Sequence, residues 1–157
     1  MPASWDALGR GRQIAVVAAR FNEEVTTPLL EGCLARLRES GVPEKSIFVG
    51  RVPGAFEVPL AAKWAAKTGR YAAVIALGAL IRGDTPHFDY ISQACSHGLM
   101  DVSLEAAIPV AFGVLTCDTV EQALARVGGS MGHKGGEAAD AALAMLELRN
   151  QMTPALT

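Results

Sequence analysis

The sequence predicts an α/β protein, a three-layer α/β/α sandwich around a four-stranded parallel sheet, and three observations carry that expectation. Short apolar runs alternate with longer stretches of helical spacing, which is the sequence form of repeated βαβ units. The apolar runs lack a polar face, as strands covered on both sides require. Half of the 157 residues are hydrophobic but only 6% are aromatic. The core must therefore be built from Ala, Val, Leu and Ile, which suits parallel strands lying under helices. A chain of this length fits one domain, able to bury about 70% of the surface its unfolded form exposes without a disulfide or metal staple.

The expected order is β-α-β-α-β-α-β-α-α. Ile14 to Ala19 is the first strand. The next helix gathers Leu29, Leu30, Cys33, Leu34 and Leu37 on one face and closes at Gly41. Pro28 reads as its first residue with Thr27 as N-cap, or the helix starts near Asn22 and tolerates the proline. Ser46 to Val52 is the second strand, followed by a helix with Pro59 in its first turn that runs to about Thr68 and closes at Gly69. Ala72 to Leu77 is the third strand, and a long helix occupies about Phe88 to Ala106. Val110 to Thr116 is the fourth strand, introduced by Pro109. Asp118 or Thr119 then caps a short helix through Val127, with Glu121 or Gln122 completing a capping box. Gly128, Gly129, Gly132, Gly135 and Gly136 make a permissive connection before a terminal helix that ends about Arg149. Four parallel strands with right-handed crossovers give the flavodoxin-like arrangement. Residues 13–150 form the domain, with 1–12 as an N-terminal arm and 151–157 as a C-terminal tail.

The charge balance narrows the function classes. Fourteen Lys and Arg stand against sixteen Asp and Glu, so the one-sided basic field of a nucleic-acid binder is missing and a small-molecule partner is expected. Cys33, Cys95 and Cys117 are odd in number, far apart and without a CxxC pair, which points to core hydrophobes in a reducing cytoplasm rather than a disulfide framework or a zinc site. The first twelve residues lack the pattern of a signal or transit peptide, and Gly78, Arg82 and Asp84 interrupt the longest apolar run, so no membrane span is expected.

In such sheets ligands bind beyond the carboxyl ends of the strands, which directs attention to four loops. Arg20-Phe21-Asn22 follows the first strand and sets an aromatic ahead of a helix, as a ligand platform or an ordinary cap with a hydrophobic staple. After the second strand, Pro53 and Pro59 bracket Gly54-Ala55-Phe56-Glu57. A helix N-terminus there offers N–H groups to a polar heterocycle, and Glu57 can accept from ring nitrogens or simply complement the helix dipole. The third loop, from Gly78 to Tyr90, leads a glycine-containing turn into a helix N-terminus, an arrangement that traps anions although it lacks a P-loop lysine. Of the three histidines, His87 alone stands at a strand end facing this region, where an imidazole suits proton transfer; His97 and His133 have no metal-triad spacing and default to structural or solvent-facing roles. Phe112 and Thr116 on the fourth strand, with Arg126 and Lys134 beyond it, add an aromatic and two cations that could clamp a phosphate or lie solvated at the surface.

Taken together these segments resemble the lumazine synthase family over about residues 13–148. The motifs that carry the resemblance recur in order: Arg20-Phe21-Asn22, Val52-Pro53-Gly54-Ala55-Phe56-Glu57-Val58-Pro59, Ile81-Arg82-Gly83-Asp84-Thr85-Pro86-His87-Phe88-Asp89-Tyr90, Phe112-Gly113-Val114-Leu115-Thr116, and Lys134-Gly135 before Glu137-Ala138. The resemblance implies an enzyme without metal or redox cofactor that condenses 5-amino-6-(D-ribitylamino)uracil with 3,4-dihydroxy-2-butanone 4-phosphate. It implies that the pyrimidine stacks on Phe21 beside Asn22, and that Ala55, Phe56, Glu57, Ala79, Leu80 and Ile81 line the ring and ribityl pocket. The phosphate would lie on the Asp84-Thr85 backbone and pair with Arg126, and His87 would be the proton donor. Phe112, Arg126 and Lys134 would enter from an adjacent subunit of a pentamer, which in some members stacks into a 60-subunit shell; association with riboflavin synthase is a further expectation. Two positions depart from the pattern. Asp84 stands where a small or neutral residue is frequent, which is repulsive to phosphate unless the carboxylate turns outward, and Gly136 stands where a bulky aromatic can occur. Two other classes of function compete: a shell-forming or flavin-binding scaffold with little activity, and flavodoxin-like electron transfer, which fits the fold but gives His87 and Arg126 no task.

Overall fold

The computed structural model describes residues 3–153, so parts of the expected arm and tail, residues 1–2 and 154–157, lie outside the described residues. Its sheet has the strands β1 (Gln13–Ala19), β2 (Ile47–Val52), β3 (Tyr71–Ile81) and β4 (Val110–Cys117), all parallel, in the order β2-β1-β3-β4. On one face lie α1 (Trp5–Gly9), α2 (Glu23–Glu39) and α6 (Lys134–Met152); on the other lie α3 (Val58–Lys67) and α4 (His87–Ala106). Alternation along the strands divides the core. Ile14, Val16 and Ala18 join Leu29, Leu37 and Leu146 in one layer, while Ala15, Val17 and Ala19 join Val58, Cys95 and Leu99 in the other. The three-layer flavodoxin-like sandwich is thus the observed architecture.

The ends of the elements follow local chemistry. Helix α2 begins at Glu23, not at Pro28: Asn22 is the residue before it, and Pro28 lies inside the helix. The apolar stripe overrides the proline's missing N–H, because Val25 must reach the core ahead of Leu29, Cys33 and Leu37. At its other end Gly41, with φ of 90°, donates to the Arg38 carbonyl and Val42 to the Leu37 carbonyl, a Schellman closure in which both apolar side chains are buried. Strand β3 runs four residues past Leu77, so Gly78, Ala79, Leu80 and Ile81 are strand and not loop; they pair with Val114 to Cys117 of β4. The short helix α5 (Val120–Leu124) has Thr119 as N-cap and stops before Val127. Gln122 donates its N–H to the Thr119 hydroxyl and accepts from the Asp118 N–H through its side-chain oxygen. The glycine-rich connection is paired as a hairpin of β5 (Val127–Gly129) and β6 (Gly132–His133).

Within the stretch expected as an N-terminal arm, α1 buries Trp5 and Leu8 against the sandwich. Arg149 donates to the Leu8 carbonyl and Asn150 to the Ala7 carbonyl, so the last turns of α6 cap the carboxyl end of α1. All three cysteines are buried and unpaired. Burial pushes the Cys33 thiol up to about 12 and the Cys95 thiol up to about 11, which suppresses the reactive thiolate. Among the described residues no helix is long and apolar enough to cross a membrane.

Helices α2 and α6 touch at glycines. A Cβ at Gly135 would fall inside the Leu29 carbonyl oxygen, and one at Gly32 inside the His133 ring. His133 is the pin of this crossing: its Nδ1 accepts the Gly136 N–H, capping α6, while its Nε2 donates to the Pro28 carbonyl at 3.2 Å. A Cβ at Gly136 would instead meet only the Arg36 side chain at 3.7 Å, ordinary van der Waals contact. The two neighbouring glycines therefore have opposite expected signs. Gly135→Ala should lower the unfolding free energy by about 1–3 kcal/mol through overpacking, whereas Gly136→Ala should be neutral or raise it by up to about 1 kcal/mol through helix propensity. Urea unfolding of the two variants measures the difference, and equal destabilisation would contradict the close crossing.

Candidate functional site

The carboxyl ends of β1, β2 and β3 open into a cavity of about 540 Å³. Three segments build it. Beyond β1 the chain turns through Phe21, whose N–H donates to the Pro53 carbonyl, and Asn22. Beyond β2 comes a 3-10 turn at Ala55–Glu57 that runs into α3. Beyond β3 the Arg82 to Pro86 turn leads into α4. Phe21 and Phe56 are 69% and 62% exposed at the mouth, an unfavourable position for lone phenylalanines and a suitable one for stacking a flat ligand. The Glu57 carboxylate sits close to the Gly54 backbone, where a Cβ would meet it at 3.7 Å and the Phe21 Cβ at 4.0 Å, so the bare glycine lets the platform and the carboxylate approach.

Asn22 holds the left-handed conformation, φ 64° and ψ 53°. Its side-chain N–H donates to the Ala79 carbonyl at 2.8 Å. This bond ties the first loop to the extended end of β3 and leaves the amide oxygen as the group available to a ligand. Ala79 is buried and contributes that carbonyl rather than a cavity wall, whereas Leu80 and Ile81 do line the cavity.

The turn into α4 is a helix N-terminus with little protein capping. Its N-cap is Pro86, without a side-chain hydrogen bond, and the Thr85 hydroxyl reaches the His87 N–H only at 3.5 Å. A twenty-residue helix thus presents loosely satisfied N–H groups and its positive end to the cavity, which favours an anion. Gly83, Thr85 and His87 line the cavity and Asp84 does not. The exposed Asp84 side chain is consistent with an outward turn that spares an anion its charge.

Phe112, Arg126 and Lys134 lie elsewhere on the same chain. They line a separate cavity of about 290 Å³ on the far side of β4, with Thr116, Cys117 and Glu137. There the Arg126 guanidinium donates to the Gln122 carbonyl at 2.7 Å, and the Lys134 ammonium stands 3.9 Å from the Glu137 carboxylate. Burial pushes the Cys117 thiol up, and the nearby Arg126 charge opposes this only in part. The expected residues therefore divide into two half-sites, one with His87 and one with Arg126. Pro53, Gly54, Gly83, Phe88 and Ile91, none of which was assigned a site role from sequence, also line the first cavity. Phe88 and Ile91 carry an i, i+3 apolar spacing that reads as core, so only their place beside His87 could have marked them. Among the described residues no three His, Cys, Asp or Glu side chains gather in a way that could hold a metal ion.

A sequence model described as 6,7-dimethyl-8-ribityllumazine synthase matches residues 11–150. A protein of Protochlamydia amoebophila with that same name is 50% identical over 141 residues, covering 90% of this chain and 82% of its own. A protein of Gemmatimonas aurantiaca, also so named, is 50% identical over 152 residues, covering 97% of this chain and 93% of its own.

The geometry around Asn22 has a direct test. Asn22→Ala loses the bond to Ala79 and keeps a side chain in the left-handed region, at an expected cost of about 1–2 kcal/mol. Asn22→Gly loses the same bond but adopts the backbone freely, so it should be the milder variant. Thermal unfolding that ranks glycine as the worse substitution would show that the positive φ is not maintained.

Proposed function

The chain belongs to the 6,7-dimethyl-8-ribityllumazine synthase family, and from that membership we propose that it condenses 5-amino-6-(D-ribitylamino)uracil with 3,4-dihydroxy-2-butanone 4-phosphate, the penultimate step of riboflavin biosynthesis. The observation that carries this reading is the first cavity: two exposed phenylalanines, a carboxylate, an imidazole and a loosely capped helix N-terminus meet at one sheet end.

In the proposed reaction the 5-amino nitrogen attacks the ketone and loses water to form an imine. Phosphate then leaves, the enol tautomerises, and the ribitylamino nitrogen closes the second ring with loss of another water. These steps move protons and expel an anion, so they ask for positioned donors and an anion clamp. Stacking on Phe21, with Ala55, Phe56 and Glu57 beside it and Leu80 and Ile81 along the ribityl chain, would replace much of the entropic barrier, about 7–11 kcal/mol for a well-oriented pair. His87 serves as proton donor. The Thr85 turn takes the phosphate, and Arg126 pairs with it.

Because His87 and Arg126 lie in different cavities of one chain, this chemistry needs a second copy to bring Phe112, Arg126 and Lys134 to the first cavity. Exposed apolar surface supports such an assembly. A groove of about 620 Å³ beside β4 is walled by Met100, Leu104, Met145, Leu148 and Met152, and such a patch marks an interaction surface. The assembly proposed is a pentamer, extendable to a 60-subunit shell and open to association with riboflavin synthase. Three unpaired thiols suit a cytoplasmic setting.

Mixing the protein with both substrates should release the fluorescent lumazine. If product forms no faster than in buffer, the catalytic reading is lost and a flavin-binding scaffold takes its place. Light scattering should report a pentamer or larger, and a monomer would remove the shared site. Within an active enzyme, Arg126→Ala should cost more turnover than His87→Ala. Water can deliver a proton but cannot replace a desolvated charge on the phosphate, so losses of about 10³-fold and about 10²-fold are expected. Steady-state kinetics giving the opposite order would refute these roles.

A further inference from the structure

We propose that Arg82 is a positioning residue that holds the two half-sites of one chain in fixed relation, gripping the His87 end of α4 on one side and the turn that carries α5 and Arg126 on the other. This rests on the catalytic reading above for its effect on turnover, though not for the linkage itself.

Arg82 is the first residue after β3, and its N–H donates to the Cys117 carbonyl at 2.9 Å. Its guanidinium makes three further contacts. It lies over the Phe88 ring, 4.4 Å from the centroid. Its Nη1 meets the Asp89 carboxylate at 3.3 Å, and its Nε meets the Asp118 carboxylate at 2.8 Å. Phe88 and Asp89 are the second and third residues of α4, directly after His87. Asp118 immediately precedes the N-cap of α5, and its N–H donates to the Gln122 side chain; the Gln122 carbonyl in turn accepts from Arg126. An unbroken run of contacts therefore leads from His87, through Arg82, to Arg126.

The character of these contacts separates positioning from stability. Arg82, Asp89 and Asp118 have side chains 46%, 51% and 64% exposed, and ion pairs so open to water contribute little to folding. Nor does Arg82 line either cavity. What it supplies is geometry. A planar fork stacked on a ring and bonded at two edges fixes orientation in a way that a lysine ammonium cannot. The displacement that matters is small, since a shift of about 1 Å at a reacting group can cost about 10²-fold in rate.

The test compares Arg82→Ala, Arg82→Lys, Asp118→Ala and the double variant Arg82→Ala/Asp118→Ala with wild type. Arg38→Ala, which removes the remote surface pair with Glu44, is the control. Arg82→Ala should lower kcat by about 10- to 100-fold while the unfolding midpoint stays within about 3 °C and KM changes far less than kcat. Arg82→Lys should recover only part of the loss, the double variant should be no worse than Arg82→Ala, and the control should match wild type. Wild-type kcat in Arg82→Ala, full recovery by lysine, or multiplying losses in the double variant would each overturn the proposal. Amide hydrogen exchange without substrate supplies the second arm: in Arg82→Ala the first turns of α4 and α5 should both exchange faster. Acceleration of only one, or of neither, would overturn the linkage. Should wild-type protein make no lumazine, the catalytic reading fails while the exchange arm still decides whether Arg82 couples the two segments.

Discussion

A strand that outruns its neighbour must find new partners for its backbone, and that requirement at the end of β3 organises the rest of the molecule. Strand β3 pairs with β1 as far as Leu77 and with β4 as far as Ile81. Past Leu77 the side facing β1 has no strand, because β1 has ended and turned away. The Asn22 side chain takes over, donating to the Ala79 carbonyl where a strand amide would have stood. Both ends of that bond are thereby committed. The chain after β1 must remain close enough for a short amide side chain to reach, which brings Phe21 to the cavity mouth and forces Asn22 into a left-handed backbone that few other residues adopt readily. On its other side the extension keeps its ladder with β4, so the Arg82 turn and the β4–α5 turn leave the sheet side by side.

This extension also shows where sequence reasoning stopped. The apolar run from Ala72 to Leu77 declares a buried strand by itself, but Gly78 resembles a terminator, and nothing in the local pattern says that the ladder with β4 continues through it. A Cβ there would meet Ala19, Ala55 and Val114 at 3.4–3.7 Å, from three different elements. Only tertiary packing makes that glycine part of the strand. Pro28 leaves two starts open in the same way: propensity alone favours it as the first helical residue, while the buried stripe from Val25 to Leu37 carries the helix through it and selects the alternative start beside Asn22. The glycine-rich hairpin was hidden because its anchor, His133, acts on Pro28 from more than a hundred residues away in sequence. By contrast, the sheet, the helix ends at Gly41 and Gly69, and the grouping of Phe21, Glu57 and His87 were legible, since each follows from apolar periodicity, backbone handedness or the rule that ligands gather at strand ends.

The division of the charged residues was less accessible to sequence for a different reason. Formal charges nearly cancel over the chain, so no gross field points at a site, and each cation has to be judged by what it touches. Arg38 and Arg36 are absorbed by surface carboxylates. Lys134 stands near Glu137, and Arg126 leans on a backbone carbonyl, which holds the guanidinium in place without neutralising it. A cation oriented by a neutral acceptor keeps its charge for a ligand, whereas one paired to a carboxylate has spent much of it on its partner. In the proposed reaction that would favour Arg126 over Lys134 as the phosphate's partner, although the Lys134 pair is long and open to water.

One chain carries the expected residues in two separate cavities, and the sheet's topology accounts for this. A parallel sheet of four strands has two edges, and the loops beyond β1, β2 and β3 converge around α4, whereas the segment after β4 lies past the last strand with no fifth strand to fold it back. Arg126, carried beyond that edge strand, lines a different cavity from His87. With four strands, closure would fall to a second copy in the proposed assembly, and the exposed apolar wall beside β4 offers a surface on which a copy could pack. In that proposed assembly each chain would contribute to two neighbouring sites, and the rigidity of the Arg82 path would set how far the geometry of one site depends on the next.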